Sequence, residues 1–139
     1  MDIPRCAAWF LAIALAFAGA TDYIPAFIDA EGRVFGLFKL DVYKDALHFA
    51  SAAWAAFAAW KSRRASVLFL RVFGVLYFLD GVMGVFTGSG FLDLSIFTQG
   101  WLDVSPLIKF LSSLPHLGLG FVALVGGYVF GRPGRVRIG

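Results

Sequence analysis

Two histidines and two aspartates lie within or at the edge of long apolar stretches of this chain: His48, His116, Asp22 and Asp80. An ionisable side chain in apolar surroundings is costly and needs a partner or a role. Imidazole together with carboxylate can ligate a metal ion, and two imidazoles can hold a haem or another pigment between helices. The plainer alternative is a hydrogen-bonded pair that fixes one helix against the next, with Asp80 bonded to His48 or His116. The histidines lack HxxxH or ExxH spacing, and the chain has no Gly-rich phosphate loop, nucleophile elbow or zinc motif. Cys6 is the only cysteine, which excludes an internal disulfide, a CxxC pair and a Cys-based zinc site. No residue is assigned a catalytic role.

The elements that must position these residues are read from apolar run length. At 139 residues the chain is a single domain, and 60% apolar with 15% charged residues and a mean hydropathy of +0.80 is far from the soluble average. Four segments reach or approach the roughly 20 residues needed to cross a hydrocarbon core of about 30 Å. They are expected as helices over about 4–22, 45–60, 65–87 and 106–130, with outer loops over about 23–44 and 88–104. Helices are required because lipid offers the backbone no hydrogen-bond partner. Gly88-Ser89-Gly90 marks a turn after the third segment, and Ser105-Pro106 reads as an N-cap with proline at the first helical position. Ala18-Gly19-Ala20 has the form of a signal-peptidase site, but the apolar run continues from Tyr23 to Phe27, which favours an uncleaved helix.

The basic residues set an orientation. Arg5, Lys61, Arg63, Arg64, Arg132, Arg135 and Arg137 fall on one side of the four segments, accompanied by Asp2 alone. Arg33, Lys39, Lys44 and Lys109 fall on the other, among Asp22, Asp29, Glu31, Asp41, Asp45, Asp93 and Asp103. The excess of bases places both termini in the cytoplasm, and the net charge of +3 reads as a topology signal and not as a nucleic-acid surface. Tyr23, Tyr43 and Trp101 then belong to the outer aromatic belt, with Trp60 and Tyr128 in the inner one. At 1.5 Å per helical residue, His48, Asp80, His116 and Asp22 all lie about 20 to 25 Å from the cytoplasmic bases of their own helices, in one outer layer.

Two further patterns bear on packing. Aligning Arg5 with Arg71 brings Thr21 opposite Thr87, and aligning His48 with His116 sets HFASAAWAAFAAW beside HLGLGFVALVGGY, which predicts two repeated helix-loop-helix halves running the same way. Helix faces made of Ala52, Ala55, Ala56 and Ala59 in the second segment, and of Gly120 and Gly127 in the fourth, let backbones approach closely in lipid. So many bare positions in a small bundle suggest contact with other membrane chains or with copies of itself. Phe69, Phe73, Phe78 and Phe86 of the third segment are as well suited to lipid as to such a contact. The outer loops, carrying Ile24, Phe27, Val34, Phe35, Phe91, Leu92 and Trp101, are too apolar for free linkers and are expected to fold over the outer mouth.

The stretches FGLFKLDVYKDALHFASAAWAAFAA, RVFGVLYFLDGVMGVFTG and LPHLGLGFVALVGG resemble a family of small bacterial four-span membrane proteins known as a domain of unknown function. In that family a loop reading roughly Gly-Leu-Phe leads through a polar residue into a helix opening on Leu-His or Val-His, and the pattern recurs before the last span. Gly36, Leu37, Phe38, Asp41, Asp45 and His48 match the first copy in kind and His116 matches the second. The family commonly carries asparagine where this chain has Asp41 and Asp45, and Ser113 stands where a polar partner is expected before His116. The resemblance implies an all-α four-helix bundle in the bacterial inner membrane and supplies no activity. The leading expectation is a non-catalytic accessory or structural subunit in a larger membrane complex. The alternatives are a carrier of haem, pigment or metal at His48 and His116, and a transporter or channel component.

Overall fold

A computed structural model describes residues 2–133. Arg135 and Arg137, counted above among the cytoplasmic bases, lie outside the described residues. The described chain is all-α, with helices α1 (Ile3–Ala20), α2 (Val42–Lys61), α3 (Arg63–Thr87), α4 (Ser95–Thr98) and α5 (Pro106–Leu124). Helix α5 continues as a π-helical stretch, Val125–Val129. No β-strand occurs among the described residues; the first outer loop holds only isolated bridges joining Ile28, Val34 and Phe38.

Local sequence sets the helix limits. The side chains of Asp2, Asp41, Ser62 and Ser105 each accept a backbone N–H three residues on, satisfying one of the donors that open α1, α2, α3 and α5. Helix α3 stops at Gly88, whose φ of 79° closes the last turn in the left-handed region. The Asp41 cap starts α2 three residues ahead of the expected position 45, so Val42, Tyr43 and Lys44 belong to the helix and not to the outer loop, and Asp45 is buried in its first turn.

Three helices, α1 with its 3-10 extension to Tyr23, α3, and α5 to Val129, are long and apolar enough to cross a membrane. The count is three against the four that run length suggested. Helix α2 spans 20 residues but falls short, because Lys44, Asp45, His48, Ser51 and Lys61 lower its mean hydropathy.

Helix α1 packs chiefly on α2 and α3 chiefly on α5, while α1 and α3 join the two pairs. The core is Leu11 and Leu15 of α1, Ala55, Ala58 and Ala59 of α2, and Phe69, Leu70, Phe73 and Tyr77 of α3. Phe69 and Phe73 therefore face inward: their rings stack at 4.9 Å, Tyr77 stacks on Phe73 at 4.0 Å, and Trp54 meets Phe69 edge-on. Phe86 is exposed. Ala52, Ala55 and Ala59 are buried within the chain and Ala56 is half-buried, so the small side chains of α2 first serve internal packing. Its exposed alanines are Ala46, Ala50 and Ala53. Between α3 and α5 the approach is closer still: a Cβ at Gly120 would lie 2.7 Å from the Phe78 amide nitrogen, and one at Gly127 2.8 Å from Arg71 Cγ.

The N-terminus, the α2–α3 junction and residues 130–133 gather at one end of the bundle. Arg5 Nε donates to the Ala59 carbonyl at 2.8 Å, and Arg71 Nε donates to the Gly127 carbonyl at the same distance. Arg63 reaches the carbonyls of Phe130 and Arg132. Both long loops lie at the opposite end. Tyr23, Tyr43 and Trp101 there, and Trp60 and Tyr128 at the arginine end, are all exposed.

Candidate functional site

The loop end contains the polar layer. Asp80, on the inner face of α3, is 3% exposed. Its Oδ2 lies 2.5 Å from His116 Nδ1 on α5, and its Oδ1 accepts the amides of Phe91 (2.8 Å) and Leu92 (3.0 Å) from the loop after α3. Three charge-assisted or short contacts of this kind on one buried group are what a carboxylate needs to stay inside. The loop can come so close because Gly90 has no side chain: a Cβ there would sit 2.3 Å from Asp80 Oδ1. A proton on His116 Nδ1 leaves Nε2 with the free lone pair, the state in which an imidazole can accept a hydrogen bond, act as a base or ligate.

His48, 8% exposed on α2, brings its ring centroid to 6.1 Å from that of His116 at nearly a right angle. Tyr77 lies over His116 at 4.7 Å. His48 Nδ1 and the Tyr77 hydroxyl are buried and have no hydrogen-bond partner, although Ser51 lies beside the phenol. Asp22, in the 3-10 turn that ends α1, is set against Asp45 of α2 and not in the Asp80 pair. Tyr23 donates its hydroxyl to Asp45 Oδ2 at 3.0 Å, while Asp45 Oδ1 and Asp22 Oδ1 are buried without partners.

The two outer loops are tied across this layer. Lys44 lies 3.8 Å from Asp41 and 3.9 Å from Asp93. Asp93 accepts the Ser95 amide, and the Ser95 hydroxyl bridges the backbone of Gly90. The four residues singled out in the sequence thus fall into an Asp80–His116 pair with His48 alongside, and an Asp22–Asp45 contact. Asp45, Asp93 and Tyr77 are additional members. A signal for two of them is present in the spacing: Asp45 with His48, and Tyr77 with Asp80, stand three apart and so share a helix face. Among the described residues, no group of three or more His, Cys, Asp or Glu is placed to hold a metal ion. Two surface grooves, lined by Ile3, Ala7 and Phe130 or by Arg71 and Tyr128 among others, lie at the other end of the bundle.

No family model, curated protein or solved structure matches this chain.

Proposed function

We propose that this is a four-span inner-membrane protein with both termini cytoplasmic, akin to the bacterial four-span family it resembles, acting as a non-catalytic accessory subunit alongside other membrane chains or copies of itself. The observation that carries the reading is Asp80: His116 and two loop amides engage the one deeply buried carboxylate of α3, so its role is to fasten α5 and the outer loop to α3. Helix α2 counts as the fourth span because it lies against α1 and α3 and runs between the same two ends. Its polar residues are turned inward or sit at its ends, where lipid does not meet them. The paired arginine contacts, Arg5 to Ala59 and Arg71 to Gly127, support two repeated halves. Purification in mild detergent with mass spectrometry of co-purifying chains tests the assignment: a defined membrane partner or homo-oligomer is expected, and a lone monomer at native expression contradicts it. Protease digestion of sealed inner-membrane vesicles tests the topology, which fails if the termini are trimmed from opposite faces.

One observation favours a second reading. A carboxylate-bound histidine with a second, unpartnered histidine at 6.1 Å is the arrangement of oriented imidazole ligands, so a haem or metal between His48 and His116 is the competing function. A visible band or bound metal that vanishes in both His48→Leu and His116→Leu establishes it, and a colourless, metal-free preparation removes it.

A further inference from the structure

Arg71 stands at the cytoplasmic end of the bundle, as Arg5 does: each clasps the carbonyl two residues before its partner helix ends, Gly127 ahead of Val129 and Ala59 ahead of Lys61. In a bilayer this level is the headgroup region, since α1 itself begins only two residues before Arg5. The Arg71 guanidinium carries five N–H donors. Its protein acceptors are the Gly127 carbonyl and, at 3.5 Å, the Gly131 carbonyl, and its carbon centre sits 5.0 Å from the Tyr128 ring. The remaining donors have no protein partner among the described residues. They border a groove of about 280 Å³ whose other walls are Val72, Val75, Leu76 and Tyr128. The charge around it has one sign: Arg63, Arg64, Arg71 and Arg132 share this end with Asp2 as the only acid in the described sequence there, and Arg132 Nε reaches the Tyr128 carbonyl at 3.3 Å.

A guanidinium at headgroup level with free donors, followed by an apolar trough running one turn deeper along α3, has the two ends of one ligand. We propose that Arg71 and Tyr128, with the Val72–Val75–Leu76 wall, form a binding site for a single anionic phospholipid of the inner leaflet, its phosphate on Arg71 and an acyl chain along the valines. The apolar wall is what separates a lipid from free phosphate. This inference rests on the membrane reading above.

The test uses the full chain in mild detergent, offered phosphatidylglycerol or phosphatidylcholine with the same acyl chains, with bound lipid counted by native mass spectrometry. One phosphatidylglycerol is expected to be retained about tenfold better than phosphatidylcholine, because both offer Arg71 a phosphate but the choline ammonium of the second is repelled by the surrounding arginines. Val75→Trp fills the trough while leaving the Arg71 bonds in place, and Arg71→Gln removes the charge; both are expected to abolish the preference, and soluble glycerol phosphate is expected not to compete. Equal retention of the two lipids by the unaltered chain, an undiminished preference in Val75→Trp, or displacement by glycerol phosphate overturns the proposal. Recovery of the chain in the soluble fraction without detergent overturns the membrane reading with it, whereas a membrane-embedded chain without lipid preference overturns this site alone.

Discussion

The α1–α2 and α3–α5 pairs are alike at the arginine end and unlike at the loop end. At the first, each pair is fastened by an arginine Nε on a carbonyl near the end of the partner helix. At the second, α3 and α5 are joined by opposite or complementary groups, Asp80 and His116, with loop amides completing the shell. Helices α1 and α2 meet there through two carboxyls, each with a buried unpartnered oxygen. The same helix-pair plan thus carries one polar contact that holds and one that strains against its surroundings. Close packing differs in the same sense: at Gly120 the α5 backbone meets the backbone of Phe78, while Gly19 on α1 meets only the ring of Phe49.

The contrast can be broken most sharply at Asp80. Asp80→Leu leaves His116 and two loop amides without an acceptor, and unfolding in detergent should register a loss of about 3–5 kcal/mol, the scale of breaking one side of a buried pair. Gly120→Ala should cost about 1–3 kcal/mol, because its methyl meets backbone that cannot turn aside. Gly19→Ala is its control: the Phe49 ring can rotate, and the helix-propensity gain of about 1 kcal/mol should leave stability level or slightly raised. Equal losses at the two glycines would erase the proposed difference in packing. The smallest effect has the opposite sign. Asp45→Asn gives Asp22 a donor in place of a facing carboxyl, and the melting temperature in detergent should rise by the equivalent of up to about 1 kcal/mol. A fall there would mean that the two carboxyls are held together by something both require.

Much of this was legible in the sequence because helix signals are local. Ser62, Ser105 and Gly88 mark boundaries by their own backbone preferences, and counting residues from the basic clusters is enough to put Asp80 and His116 at one depth. What was not legible depends on facing. A helix apolar on all sides carries no contrast between its inner and outer surfaces, so Phe69 and Phe73 could not be distinguished from Phe86. Run length starts the second helix at Asp45, whereas the helix begins at Val42 behind its Asp41 cap, three residues earlier. Asp93 gave no signal, since its place is set by loop contacts to Lys44 and Ser95 that sequence separation conceals.

One residue, Ser62, separates α2 from α3, and it caps α3 while its neighbour Ser66 donates to the Ala58 carbonyl of α2. The two helices are therefore a bent rod with almost no slack at the elbow. On the four-span reading, α2 need not partition into the bilayer by its own affinity. During biogenesis the greasier α3 can draw it in as the second arm of a hairpin, with its aspartate and histidine already sheltered on the way.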